Sequence, residues 1–272
     1  MAENPDASGR RRVSKIDTSV PHSARIWNYW LGGKDNYEID RIAGDQYREL
    51  FPGIVDGARI ARYFLARTIR YLAAEEGIRQ FLDVGTGLPT VDNTHQVAQR
   101  VAPESRIVYV DNDPLVLVHA HALLTSTPEG TTEYIEADLH DPEAILEAAA
   151  GTLDFNRPVA VVLSGILGHV ADYDEARTIV RRLMEGVPSG SCLSLHDATD
   201  TDPAWVSAQQ HYNESGAIPY HLRSPEQIAG FFEGLELVEP GVVPTPRWRP
   251  EVAMVEEGTE AGAGVGGVGR KP

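Results

Sequence analysis

From residue 80 onward the chain alternates short apolar runs with longer stretches in which apolar residues recur every three to four positions. The runs predict strands over 80–84, 106–110, 132–136, 159–163 and 192–196, and a sixth over 235–239. The helical spacing between them predicts helices near 94–101, 114–124, 142–149 and 173–186, then 225–232. Strand and helix in regular alternation imply βαβ units and a mainly parallel sheet, an α/β fold. Upstream, Ile60, Phe64, Leu65, Ile69 and Leu72 fall at helical spacing within about 57–75, and Gly77 stops that helix. Its arginines, Arg59, Arg62, Arg67 and Arg70, fall mostly on other faces and are expected in solvent. The Gly-rich end, 262–269, reads on composition alone as a low-complexity tail.

The stretch 23–37 is dense in aromatics, with Trp27, Tyr29, Trp30 and Tyr37 in a chain that is only 7% aromatic. Packing onto the core would explain it. A lid over a bound ligand would also do so, with an aromatic face for a cation and Gly32-Gly33 as hinge. At 272 residues the chain suits one large domain with an appended segment. The division expected is a disordered tail over 1–20, a lid segment over 21–56 and a ligand-binding domain over 57–272.

Charge and cysteine usage narrow the function classes. A formal net charge of −16 opposes a phosphate backbone, and the one compact basic run, Arg10, Arg11 and Arg12, sits in the tail, so no nucleic acid is expected as partner. No apolar run reaches membrane-spanning length and the first fifteen residues lack a secretory core, so no membrane is expected and cytoplasmic residence is the default. The single cysteine, Cys192, lies in an apolar run and reads as core. His119 and His121, two apart on a helix, point to different faces, and no metal is expected.

The chemistry concentrates at strand ends. Phe81-Leu82-Asp83-Val84-Gly85-Thr86-Gly87 reads as a strand entering a tight turn whose glycines permit unusual dihedrals and close approach of a ligand. Asp83 stands where nicotinamide-binding turns are apolar, and a carboxylate there suits a ligand carrying an ammonium and a sulfonium. The next strand ends in Val110-Asp111-Asn112-Asp113, where Asp111 can accept both hydroxyls of an adenosine ribose and Asp113 caps the following helix. After the third strand, Asp138 suits an exocyclic amine and Leu139 the face of an adenine ring. Small residues from Ser164 to Gly168 follow the fourth strand, and His169 and His196 stand where either could serve as a general base.

These motifs, together with residues 23–37 and Arg247-Trp248-Arg249-Pro250, resemble class I S-adenosylmethionine-dependent methyltransferases. More narrowly, over about residues 20–272 the chain is similar to the actinobacterial S-adenosyl methyltransferase family, formerly a domain of unknown function. The resemblance implies a Rossmann-like seven-stranded sheet with helices on both faces, an N-terminal helical lid, and a last strand formed by the Gly-rich end. It implies S-adenosylmethionine (SAM) as cofactor, with contacts at Asp83, Gly85, Thr86, Gly87, Asp111, Asn112, Asp138, Leu139 and Ser164, and at Trp27 and Tyr29 of the lid. The implied reaction is methyl transfer to a small-molecule acceptor by in-line positioning, with deprotonation by His169 or His196. A SAM-binding module without turnover is the alternative, and a nicotinamide oxidoreductase ranks below it. One departure stands out: Pro89 replaces the usual third glycine, and Asp92-Asn93 offers a late helix cap, leaving 88–92 as a stiff extra loop.

Overall fold

The structure, a computed structural model, describes residues 17–113, 115–116, 118–119, 125–250 and 263–272. Most of the expected tail, including Arg10 to Arg12, lies outside the described residues, as does part of the helix expected over 114–124.

Five parallel strands form the centre: β1 (Gln80–Val84), β2 (Arg106–Asp111), β3 (Thr131–Glu136), β4 (Ala160–Ser164) and β5 (Cys192–Asp197). Their order is β3-β2-β1-β4-β5, so the chain reverses direction across the sheet between β1 and β4. Val84 lies level with both Val110 and Leu163, which brings the carboxyl ends of β2, β1 and β4 to one edge. A crevice opens beyond such an edge because the loops at a reversal diverge to opposite faces. All five strands fall within one residue of their predicted bounds.

The Gly-rich end corrects the composition reading. Residues Val265–Arg270 form β8, antiparallel to β5 along its full length and flanked by the short strands β6 (Glu236–Leu237) and β7 (Val243–Pro244). The resemblance's last strand is thus present, and the two-residue β7 brings the sheet to eight strands. Glycine is demanded there by space: a Cβ on Gly266 would lie 2.5 Å from the Cβ of His196, and one on Gly269 would lie 2.9 Å from a ring carbon of Phe232. The sixth predicted strand shrinks to Glu236–Leu237 because the chain turns at Pro240-Gly241.

Alternating strand residues face two helical layers. Leu82 and Val84 pack towards α5 (Pro142–Ala149), α6 (Tyr173–Glu185) and α8 (Pro225–Gly230). Phe81, Ile107 and Tyr109 pack towards α3 (Ile54–Ala74) and α4 (Thr94–Val101). Cys192 is buried in the second layer, and burial pushes its thiol up to about 12. The late cap is present: Asn93 opens α4 with a reciprocal bond to Gln96, after Asp92 at φ 58°. Arg67 is not in solvent. Its guanidinium donates to the carbonyls of Thr245 and Trp248, fixing the fully buried Trp248 between Phe64 and Tyr71.

A third cluster caps the sheet edge. It joins α1 (Ser23–Trp30), α2 (Glu38–Leu50), the start of α3 and α7 (Pro203–Asn213) through Ile26, Trp30, Tyr47, Phe51, Trp205 and Tyr212. The aromatic stretch is therefore an amphipathic helix with its own core. Arg25 and Asp40, both buried, pair at 3.2 Å, and Asp40 also accepts the backbone N–H groups of His22 and Tyr37. A buried ion pair persists when its remaining lone pairs are satisfied in this way. Gly32-Gly33 lies in a turn braced by Asn28. The Asn28 side chain accepts from Asp35 and Asn36, and a Cβ on Gly33 would lie 2.3 Å from its amide nitrogen. Among the described residues no helix is long and apolar enough to cross a membrane.

Candidate active site

A cavity of about 400 Å³ lies between the carboxyl edge of the sheet and the helical cap. Its sheet end is built on the β1 turn. Gly85 and Gly87 adopt φ of 74° and 64°, in the left-handed region that glycine enters without penalty. Gly85 donates to the Val110 carbonyl at 2.8 Å and Gly87 to an Asp111 carboxylate oxygen at 2.9 Å. The other Asp111 oxygen accepts from Asp113, so Asp111 braces the turn as well as facing the cavity. The two glycines differ in what they make room for. A Cβ on Gly85 would collide with Ile166 at 2.3 Å, whereas around Gly87 the nearest atom would be 3.9 Å away. Protein fills the space beside Gly85, whereas the space beside Gly87 is open to the cavity.

Asp83 is buried and accepts from the Thr94 hydroxyl at 2.6 Å. Burial pushes its carboxyl up to about 6, against the opposing pull of Thr94 and the Arg62 guanidinium. Arg62, like Arg67, departs from the solvated position expected of it. It lines the cavity, donates to the carbonyls of Val91 and Asp92, and has a buried Nε–H with no partner in the protein. The signal was present: Arg62 shares the helical stripe of Ala58, Leu65, Ile69 and Leu72.

Thr86, Asn112, Leu139 and the exposed Asp138 complete this end, where Asp138 accepts from the His140 amide in a local turn. Ser164 and His196 meet at 3.1 Å through Oγ and Nδ1, and His196 also packs edge-on to Phe64. Burial, with Arg62 nearby, draws the His196 imidazole down to about 4, so it is neutral at physiological pH. His169 sits in the short turn Leu167–His169 with Nδ1 at 2.9 Å from the Pro219 carbonyl. A carbonyl only accepts, so Nδ1 carries the proton in the neutral ring and Nε2 keeps its lone pair. Burial lowers its affinity for a second proton.

The cap supplies the other end. Trp27 lines the cavity, as expected. Tyr29 does not: its hydroxyl donates to Asp45 on α2 at 2.9 Å, because two residues along the helix turn it from the cavity towards the neighbouring helix. Trp205, Gln209 and Tyr212 of α7 line the cavity and were not anticipated, although Asp202-Pro203 is a helix start and their spacing is that of one helical face. Among the described residues no three His, Cys, Asp or Glu side chains gather as a metal site.

Comparison with known proteins agrees with this geometry. The sequence profile of the S-adenosyl methyltransferase family matches residues 9–272. A DUF574 family protein from Streptomyces avermitilis, known by crystal structure, is 48% identical, superposes with a TM-score of 0.90, and aligns over 95% of this chain and 100% of its own. A candidate methyltransferase from Thermobifida fusca is 41% identical, with a TM-score of 0.87 over 94% of this chain and 96% of its own. At 14% identity, the N-methyltransferase NodS of Bradyrhizobium japonicum, solved with S-adenosyl-L-homocysteine, shares the fold at a TM-score of 0.51, over 91% of this chain and 99% of its own. A search of curated proteins gives no match. On a profile that spans nearly the whole chain and on two structures of closely similar sequence, the chain belongs to the S-adenosyl methyltransferase family, with SAM as its cofactor.

Proposed function

We propose that the sheet end of the cavity holds SAM and that the space beneath the cap holds a small-molecule acceptor. The observation that carries the reading is the pair of opposite charges beside the turn, the buried Asp83 and the half-buried Arg62. The amino-acid end of SAM is a zwitterion. Asp83 would take its ammonium and the unpartnered Arg62 Nε–H its carboxylate, which relieves a buried donor otherwise left without a bond. Asp111 and Asn112 would receive the ribose, Asp138 and Leu139 the adenine, and Gly87 the close passage of the chain between them. Ser164 would border the sulfur, with Trp27 offering a ring face to the sulfonium. Residues 21–56 would then act as the cap over both ligands.

Bound SAM supplies an electrophilic methyl group on a cationic sulfur. The protein's part is to align the acceptor behind that methyl and exclude water, a contribution that positioning alone can make large. As the acceptor bond to the methyl carbon forms, the sulfur–carbon bond breaks, its electron pair stays on sulfur, and the acceptor's proton passes to Nε2 of His169. His196 is a poorer base. Its proton affinity is too low, and its bond to Ser164 makes it a positioning residue for the β4 loop.

Calorimetric titration of the full chain with SAM and S-adenosylhomocysteine tests the donor site. The expected result is stoichiometric binding that Arg62→Met weakens about tenfold, the loss of one charge-assisted bond. Absence of binding to folded protein sinks the reading.

A further inference from the structure

The turn that carries His169 is held from behind by a guanidinium outside the cavity. Arg223, in the segment between α7 and α8, is 3% exposed. It donates to the carbonyl of Leu167, which opens the turn, at 2.8 Å and to that of Val170, which follows it, at 2.5 Å. The rings of Phe231 and Tyr173 lie against it at 5.5 and 6.0 Å. Its own N–H donates to the Ala198 carbonyl, and its carbonyl accepts from Asp200. One residue thus joins the loop after β4 to the chain leaving β5.

Asp197, the last residue of β5 and also buried, supplies the counter-charge 3.8 Å from the guanidinium. It accepts from the Tyr220 hydroxyl as well, and the Tyr220 ring closes on the same turn. That ring meets His169 edge to face at 5.1 Å and leaves no room for a Cβ on Gly168. The His221 amide adds a bond to the Gly168 carbonyl at 2.7 Å. A buried ion pair is seldom more stabilising than apolar side chains of the same volume, so packing alone gives no reason for Arg223 and Asp197 to be here. An apolar pair could not bond two carbonyls of a largely buried turn and hold it in one place.

We infer that Arg223, charge-balanced by Asp197, is the positioning residue for His169: it fixes the turn so that Nδ1 stays on the Pro219 carbonyl and Nε2 keeps its lone pair for the acceptor's proton. The inference rests on the reading of His169 as the base. It requires no ligand to reach either group, and neither Arg223 nor Asp197 lines the cavity.

Nuclear magnetic resonance of the full chain with nitrogen-labelled histidine tests it at neutral pH, since the ring nitrogens report which of them carries the proton. His169→Gln assigns the signal. Wild-type His169 should be almost wholly the Nδ1–H form, and Arg223→Met should bring that share below half. The single variant leaves Asp197 buried without its counter-charge and can fail to fold. Arg223→Met combined with Asp197→Asn leaves no unpaired charge and is the deciding protein, with the same fall expected. Arg67→Met is the control. It removes a guanidinium that also bonds two carbonyls, in the opposite helical layer, and should lower the melting temperature without changing the tautomer. An unchanged tautomer in the double variant, loss of its fold, or an equal fall in Arg67→Met overturns the inference and leaves His169 as the base. A wild-type His169 protonated at Nε2 is a different failure, that of the base reading, and the inference falls with it.

Discussion

The two ends of the cavity are made in different ways. At the sheet end, the acids and the turn stand at or just beyond strand ends, with Arg62 added from α3, and the parallel register carries Asp83, Asp111 and Ser164 to one edge. At the cap end, Trp30 and Tyr47 come from the neighbouring α1 and α2, and Trp205 and Tyr212 from the distant α7, and they meet only because their apolar faces share one core. The first is a property of backbone topology and tolerates little variation. The second depends on side-chain packing, which can be rebuilt for another acceptor without moving the sheet.

The glycines of the β1 turn test the rigid end most severely. Gly85→Ala should destabilise the protein by about 2–4 kcal/mol, combining a positive φ with overpacking against Ile166, as read by urea denaturation. Gly87→Ala has a similar φ but open space, so about 1 kcal/mol is expected, with S-adenosylhomocysteine affinity reduced more than tenfold. Equal stability losses at the two positions would erase the distinction between a glycine for the fold and a glycine for the ligand.

The buried Asp83 separates the donor-site proposal from stability. Its carboxyl lies near 6 in the folded protein against 3.8 for the free group, so the native state binds the proton more tightly and the stability that Asp83 contributes falls as pH rises from about 4 to 6. Asp83→Asn should therefore be the more stable protein above pH 6, by about 1–3 kcal/mol, with the difference vanishing below pH 4. The same variant should bind SAM poorly. His196, drawn down to about 4, has the opposite slope but is common to both proteins and cancels in the comparison. A pH-independent difference would show that Asp83 is not desolvated.

The smallest effect expected separates two neighbours on α1. Trp27→Ala should weaken SAM binding two- to fivefold, the worth of a partly exposed cation–π contact. Tyr29→Phe should leave it unchanged, since that hydroxyl serves Asp45. Loss of binding in both would recast the aromatic helix as a folding element alone.

Much of the sheet end was legible because the features that make it are local. An apolar run, a glycine turn and an acid at the strand's end are neighbours in the chain, and Asn93, Asp141 and Ser224 cap helices within three residues of themselves. Arg62 was misread because most helical arginines are solvated, and it is the loop carbonyls of Val91 and Asp92, from a segment about thirty residues on, that hold this one against the cavity. The Gly-rich end misled for a related reason. Glycine lacks any side-chain signal for a strand, and the close packing of His196 and Phe232 that requires it comes from elsewhere in the chain.

By itself, the sequence determined the α/β alternation, the strand ends that carry acids, the glycine turn and, through its motifs, the methyl donor. The tertiary structure alone decided which turn glycine has open space beside it, that Arg62 lies in the field of Asp83, and that the buried Tyr212 hydroxyl has no partner in the protein. The division is physical. Periodicity and turn chemistry act between residues a few positions apart, whereas burial, pairing and orphaned polar groups exist only after distant segments have met.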